Sequence, residues 1–424
     1  MKRSLTDWLS YLEQLHPVAI DMGLERSRQA LERLALGRLA PRVITVTGTN
    51  GKGSTCALLA SLLRHAGLRV GVYSSPHLLR YNERVQLAEG EASDEALCEA
   101  FAAVEAARGD ISLTYFEMGT LAAFWLFARD ALDAVVLEVG LGGRLDTVNL
   151  IDADLAIVTS IGIDHVEFLG NSRDSVAFEK AGIFRAGCPA LCGDLDPPAP
   201  LLEQAAQLGC PLYRRGLAFD LHEAALNWSW QGQDAAGQPL QLVDLPPLDL
   251  PQENAALALQ AYALLDLPWE RQQIAQALQA ARVSGRLERR VIDWQGRPLQ
   301  LLLDVGHNPH AAAYLAKRLQ QRPPRGRRLA VFGLLADKDL PGVITPLLPL
   351  IACWAVAPLP TSRSCSAEAL QAALQSAGAS VSAWPSLPEA LEAQCAKASE
   401  ADEILVFGSF YAVAEALSWL NGRA

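Results

Sequence analysis

An α/β fold is predicted by strand-length apolar runs that alternate with amphipathic helical stretches, and the alternation occurs twice along the 424 residues. In the first half RVITVTG, LRVGVYSS, ALDAVVLEVG and ADLAIVTSIG each border a helical pattern, which reads as a parallel-rich sheet with flanking helices. Between residues 186 and 250 the pattern weakens into DLDPPAP and LNWSWQGQDAAGQPLQL, a β-rich excursion with turns. A helix pair is expected over residues 252–281, and the alternation then restarts at LQLLLDVGHNPH, RRLAVFGLL, ACWAVAPL and DEILVFGSF. The restart predicts a smaller, Rossmann-like second domain over residues 285–424, with residues 1–284 as the first and the junction within 282–286. No repeat of 20 to 50 residues is evident.

The first strand carries the strongest functional signal. Residues 47–55 read TGTNGKGST, directly after Val43, Ile44, Thr45 and Val46 and directly before CALLASLLRHAG. A strand that breaks at glycines and opens a helix presents backbone N–H groups to phosphate, so this segment predicts a P-loop and an ATPase-like first domain. Gly48, Gly51 and Gly53 let the backbone approach the phosphates, Lys52 adds positive charge, and Ser54 or Thr55 can ligate Mg²⁺. The general spacing GxxxxGK[ST] is not met, because Val46 stands where the first glycine belongs and Gly53 follows the lysine.

Half the residues are hydrophobic, enough for a large core, and the net charge of −11 argues against broad binding to nucleic acid or to a membrane surface. An acidic, cytoplasmic, monomeric enzyme acting on small metabolites is expected. Eight cysteines occur without a CxxC pair, several within apolar helical runs, and read as reduced core residues. The N-terminus MKRSLTDWLSYLEQLHP has no continuous apolar segment, and no later stretch crosses a bilayer without polar interruption.

Ligands of open α/β sheets bind at the carboxyl ends of the strands, so polar residues there are candidates. After VGVYSS, the hydroxyl of Ser74 or Ser75 can reach a metal, although a Ser-Ser-Pro turn is by itself only a turn. Glu138 ends an otherwise apolar strand and precedes VGLGGRLD, where a carboxylate is the usual partner of P-loop-bound Mg²⁺. Asp164 and His165 end a third strand, and histidine at a Mg²⁺-ATP site points to a second cation. NSRDSVAFEKAGIF reads as a capped helix whose Glu179 and Lys180 suit an exposed ion pair. In the second domain Asp304, His307 and Asn308 follow a strand, and suggest a second substrate or the far side of the nucleotide.

Taken together, GTNGKGS, SSPHL with NERV, TYFEMGT, LEVGLGGRLDTVN, TSIGIDH with FLG, EKAGIFR, DVGHNPHA, GLLADKD and FGSF span nearly the whole chain. In that order they resemble the folylpolyglutamate synthase family, most closely its bifunctional bacterial branch, which also makes dihydrofolate. The family is similar to the Mur ligases of cell-wall synthesis. Gly306 departs from the pattern, since this loop usually carries alanine.

The resemblance implies amide ligation driven by ATP as co-substrate. A pteroate or folate carboxylate attacks the γ-phosphate, and the amine of L-glutamate captures the acyl phosphate. It further implies that Ser75, Glu138 and His165 ligate Mg²⁺, as two ions, with a monovalent cation also admitted. Thr49, Asn50, Gly51, Lys52, Gly53 and Ser54 would hold phosphates; Asn254, Arg286 and Asp304 would reach ATP from the inter-domain cleft; and His307 would sit near the incoming glutamate. Lys180 matches a lysine that is carbamylated in this family, turning a cation into an anion that supports the metal site. The segment AIDMGLER, with Asp21, Met22, Gly23 and Leu24, matches the loop that holds dihydropteroate in the bifunctional enzymes. Thr114, Tyr115, Phe116 and Glu117, with Leu145, Asp146 and Thr147, would complete the pterin-side pocket, although Tyr115 and Phe116 also suit a core position.

Competing readings are a monofunctional folylpolyglutamate synthase, a cell-wall ligase, and a P-loop module that hydrolyses or exchanges ATP without consuming an amino acid. SSPHL and AIDMGLER weigh against the cell-wall reading, and a second metal against the simple module.

Overall fold

Two helices precede the first strand: α1 (Leu5–Gln14), closed by a Ser4–Asp7 capping box, and α2 (Glu25–Leu34). Strand β1 (Arg42–Thr47) then runs into α3 (Lys52–His65), followed by β2 (Val70–Tyr73), β3 (Val85–Leu87), β4 (Gly90–Glu91), α4 (Asp94–Arg108), α5 (Tyr115–Phe127) and β5 (Ala134–Glu138). Next come β6 (Leu155–Val158), α6 (Val166–Leu169), α7 (Arg173–Ala181), β7 (Ala190–Cys192), α8 (Ala199–Gln207) and β8 (Leu212–Arg214). The computed structural model describes residues 3–224 and 227–423; the first two residues of the N-terminal segment and Leu226 of the tryptophan-containing run lie outside it.

Among the described residues these strands form an eight-stranded sheet in the order β4-β3-β2-β5-β1-β6-β7-β8. β1 pairs in parallel with β5 and β6, with Val46 opposite both Glu138 and Ile157, so the carboxyl ends of three neighbouring strands are level. β1 and β5 are apolar and buried because helices cover both faces, which is why they read as continuous hydrophobic runs. Each fully buried leucine or valine of such a strand contributes about 1.5–3 kcal/mol.

The weak region after residue 186 is less irregular than its composition suggests. β7, α8 and β8 continue the α/β alternation and extend the large sheet in parallel, while the expected β-rich excursion narrows to β9 (Asp220–Glu223), β10 (Trp228–Gln233) and β11 (Pro239–Leu245). Three-residue strands next to prolines give no periodicity to read. The expected helix pair is α9 (Gln252–Ala263) and α10 (Arg271–Ala280), which pack on α3, where the Ser61 hydroxyl donates to the Ala277 carbonyl at 2.7 Å.

The chain divides into compact units of residues 1–282 and 283–424. In the second, β12 (Glu288–Trp294) and β13 (Arg297–Asp304) form a hairpin whose turn residues Gln295 and Gly296 both have positive φ, 54° and 79°. They are followed by α11 (Pro309–Gln321), β14 (Arg328–Phe332), α12 (Leu340–Ile344), β15 (Cys353–Val356), α13 (Ala367–Ser376), β16 (Val381–Ala383), α14 (Leu387–Lys397), β17 (Glu403–Phe407) and α15 (Phe410–Asn421). The sheet order is β12-β13-β17-β14-β15-β16, parallel except for the edge strand β12. Two of these strands carry no sequence signal: β12 is an edge strand studded with arginine, and β16 has only three residues.

The cysteines correct the sequence reading in part. All eight are free, but only Cys56, Cys192 and Cys395 are buried; the other five are half-exposed. No helix among the described residues is long and apolar enough to cross a membrane.

Candidate active site

The turn between β1 and α3 is built by backbone. Gly48 has φ 152°, and a Cβ there would overlap the Thr159 hydroxyl at the end of β6, so only glycine permits this approach. Gly51 is left-handed at φ 88° and caps α3, with the Asn254 side chain 2.6 Å from where its Cβ would stand. Helix α9 thus brings Asn254, 8% exposed, against the loop. The Thr49 N–H donates to the Ser160 carbonyl at 2.9 Å, the Asn50 N–H to the Ser160 hydroxyl at 3.0 Å, and the Thr159 hydroxyl to the Asn50 carbonyl at 2.6 Å. Lys52 folds back so that its ammonium donates to the Gly48 carbonyl at 3.0 Å, which sets its charge over the loop. In the first turn of α3, Ser54 is 3% exposed, and the Thr55 hydroxyl is buried without a hydrogen-bond partner among the described residues.

At the level end of β5, the buried Glu138 carboxylate stands 3.6 Å from the position of a Cβ on Gly53 and accepts the Ser75 N–H at 3.2 Å. Phosphate loop, Ser75 and Glu138 therefore converge. His165 is exposed and left-handed, φ 51° and ψ 47°, at the start of α6, on the loop that leaves β6. A hard divalent cation fits the Glu138 carboxylate and Ser75 beside a phosphate cradle, with the Thr55 hydroxyl of α3 buried without a partner among the described residues.

Lys180 overturns its ion-pair reading. It is 2% exposed, and burial lowers its ammonium pKa to about 7, with the charge of Lys52 pushing the same way and Asp164 opposing. Its neighbour Glu179 instead pairs with Arg144 at 2.8 Å.

The segments expected on the pterin side also converge, but through side chains. Thr114 and Glu117 close the capping box of α5: the Thr114 hydroxyl accepts the Glu117 N–H at 3.2 Å, and the Glu117 carboxylate accepts the Thr114 N–H at 2.7 Å. Glu117, 3% exposed, also accepts the Ser27 hydroxyl at 2.8 Å and pairs with Arg26 at 3.2 Å. Tyr115 and Phe116 are half-buried, Tyr115 edge-on to Tyr81 with centroids 5.9 Å apart and Phe116 beside Tyr73 at 6.1 Å. Gly140 is where Phe116 comes closest to the next loop, since a Cβ there would lie 2.6 Å from its ring. Asp146 accepts the N–H groups of Leu141 and Val148 at 2.8 and 2.9 Å, yet burial raises its pKa to about 6. Leu145 is half-buried, and the Thr147 hydroxyl lies 3.4 Å from that of Ser27. Asp21 pairs with Arg26 at 2.7 Å; Met22 is half-buried against the core, Gly23 has open space around it, and Leu24 precedes α2.

In the second unit Asp304 ends β13 opposite Phe407 and accepts the Leu287 and Gly306 N–H groups at 3.0 and 2.8 Å. Burial raises its pKa, and Arg286 opposes the rise. Phe410 lies between Arg286, whose guanidinium is 5.6 Å from the ring centroid, and His307, whose ring is 6.0 Å away. A methyl on Gly306 would lie 2.8 Å from an Asp304 carboxylate oxygen, so glycine avoids crowding in this loop. Asn308 caps α11 by accepting the Ala311 N–H at 2.9 Å.

Comparison with known proteins decides the family. The model described as the Mur ligase middle domain matches residues 46–190, and that of the Mur ligase glutamate ligase domain matches residues 285–410. The Escherichia coli dihydrofolate synthase/folylpolyglutamate synthase is 45% identical over 99% of this chain and 96% of that protein. The chain belongs to the dihydrofolate synthase/folylpolyglutamate synthase family. This ligase also superposes on E. coli FolC solved with DHPP and ADP, with a TM-score of 0.92 at 44% identity over 99% of this chain and 98% of that one. A Yersinia pestis bifunctional enzyme complexed with AMPPNP and a Mn ion matches with a TM-score of 0.90 at 45% identity, covering 99% and 98% of the two chains.

The motifs of this ligase did not reveal the groups that support its loops. His16 and Ser27 lie outside the matching motifs, and although Arg26 ends AIDMGLER and Thr159 opens TSIGIDH, only the structure shows which groups they hold.

Proposed function

We propose that this ligase joins L-glutamate to dihydropteroate, forming dihydrofolate, and to the γ-glutamyl tail of reduced folates, forming folylpolyglutamates. The observation that carries the reading is the convergence of the phosphate loop, Lys52, Glu138 and Ser75 at the level ends of β1, β5 and β2. The substrate carboxylate attacks the γ-phosphorus of ATP, a new O–P bond forms as the bond to the β-phosphate oxygen breaks, and ADP leaves. The glutamate amine then adds to the acyl carbon, loses a proton, and expels phosphate. Lys52 and the N–H groups of residues 49–54 offset charge between an anionic nucleophile and an anionic phosphoryl group that would otherwise repel. Mg²⁺, held by Ser75, Glu138 and His165, supplies further Lewis-acid stabilisation when bound.

Asn254, Arg286 and Asp304 serve ATP, and His307 serves the incoming glutamate. Residues 21–24, Tyr115, Phe116, Leu145, Asp146 and Thr147 hold the pterin, with Thr114 and Glu117 keeping the pocket's edge in place. Lys180 is carbamylated: its neutral amine adds to CO₂, an N–C bond forms, the amine proton leaves, and a carbamate anion results. A pKa near 7 supports this, because an ordinary lysine is almost never neutral at cellular pH. Free cysteines throughout suit a cytoplasmic setting.

The test is ADP release by purified enzyme with dihydropteroate, and separately with tetrahydrofolate, each with and without L-glutamate. Glutamate-dependent release with both is expected. Release with tetrahydrofolate alone would leave a monofunctional synthase, and release indifferent to glutamate would remove the ligase reading for these substrates.

A further inference from the structure

The loop between α1 and α2 is held by side chains rather than by backbone. Among the described residues no N–H of residues 16–24 donates to a backbone carbonyl, and Val18 and Ile20 are 50% and 43% exposed. Half-buried Met22 packs against the core. Two side chains do the rest. His16 lies 2.8 Å from the Ser112 hydroxyl through Nδ1 and 3.2 Å from Asp21 through Nε2. Arg26 grips Asp21 twice, its Nη1 pairing with the carboxylate at 2.7 Å and its Nη2 donating to the carbonyl at 2.9 Å, while the same Nη2 reaches Glu117 at 3.2 Å.

Glu117 makes this an anchor rather than a surface pair. Its carboxylate is almost fully buried and tied to the Thr114 N–H and the Ser27 hydroxyl, so it cannot follow a moving arginine. The segment it caps begins with Tyr115 and Phe116. We propose that Arg26 is a positioning residue for the pteroate-bearing substrate, fastening the loop of Asp21 to the first turn of α5 so that both walls of that pocket keep one geometry. This rests on the pterin pocket assigned above. Both terminal nitrogens carry the contacts while Nε is buried without a partner, so the two-pronged end of arginine is required and lysine cannot replace it.

The experiment compares the full-length wild type with Arg26→Gln and Arg26→Lys, each checked for a cooperative melt. Steady-state kinetics with dihydropteroate and with tetrahydrofolate are joined to hydrogen–deuterium exchange. Displacing one wall of a pocket by about 1 Å costs up to roughly a hundredfold, so the KM for the pteroate substrates should rise at least about tenfold in both variants. The KM for ATP should stay within about twofold, because the phosphate loop is built without Arg26. Exchange over α2 and the first turn of α5, whose amides are hydrogen-bonded, should quicken while that of α3 is unchanged. A lower melting temperature with unaltered pteroate KM would reduce Arg26 to a structural role and overturn the proposal; so would full rescue by lysine. Should Arg26→Gln fail to fold, Arg26→Lys, which keeps the charge, carries the test. Absent turnover in the wild type would count against the proposed function instead, and the exchange of α2 and the first turn of α5 would still decide whether Arg26 fastens the loop to α5.

Discussion

Around Lys52 the groups that define the first unit's site are backbone: N–H groups opening α3, carbonyls of Gly48 and Asn50, and glycines where a methyl would overlap a neighbour. Around Asp21 and Glu117 they are side chains, each held by another. A backbone cradle tolerates few sequences but is stiff. A side-chain network accepts many sequences, and its precision depends on every member having a partner. The two ends should therefore respond differently to substitution: the phosphate end through turnover, the pteroate end through affinity and loop order.

The largest effect should come from Lys52→Ala, which removes the cation placed over the cradle while leaving its backbone intact. We expect kcat/KM to fall on the order of 10³-fold. Calorimetric titration with dihydropteroate should show affinity within about twofold of wild type. If that affinity collapsed as well, the two ends would not be independent.

Next comes Lys180→Ala, with kcat reduced on the order of 10²-fold and partial recovery in millimolar-range short carboxylic acids if a carbamate is the working group. The pH dependence has a definite sign. Burial depresses the amine pKa to about 7, so the neutral form that reacts with CO₂ is gained as pH rises through that value and lost below it. Wild-type turnover should fall as pH drops below 7 and respond to added bicarbonate. Native mass spectrometry without a carbon dioxide adduct, together with full activity of the alanine variant, would return Lys180 to a packing role.

What was legible in the sequence follows the same division. The phosphate loop declared itself because Gly48 and Gly51 are required by close approach and positive φ, and those requirements appear as letters in the chain. Glu138 was legible as a charge ending an apolar strand, and α7 as a capped helix, whose cap the structure shows to be Ser172. The burial of Lys180 was not, because a lysine beside a glutamate on a short helix looks exposed until the packing of the neighbouring elements is known. Nor were the roles of Arg26 and His16, which besides Asp21 hold Glu117 and Ser112, 91 and 96 residues away. The strands β7 and β8 were missed for a different reason: three residues are too few to show a period of two.

A smaller effect is expected at Asp146, whose carboxylate holds two N–H groups of the loop that carries Leu145 and Thr147. Its pKa is raised to about 6, so the ionised form that accepts both bonds exists above that pH and is lost as pH falls through it. The dihydropteroate KM should accordingly rise about three- to tenfold between pH 7 and 5. Asp146→Asn, which cannot accept both bonds, should start higher and show a flat profile. An unchanged slope in that variant would place the titrating group elsewhere, and the contrast between the two ends would then lose its only pH signature at the pteroate side.

The smallest predicted effect separates scaffold from ligand contact. The Thr114 hydroxyl caps α5 by accepting the Glu117 N–H, whereas the family resemblance implied a place for it in the pterin-side pocket. As a cap, Thr114→Ala should cost about 1 kcal/mol, visible as a few degrees in the melting temperature, with dihydropteroate KM changed by less than about twofold. A tenfold rise in KM at an unaltered melting temperature would mean that the hydroxyl leaves its cap to meet the ligand. In that case the capping box would be a resting arrangement of the pocket, and the buried Glu117, still tied to Ser27 and Arg26, would alone fix the first turn of α5.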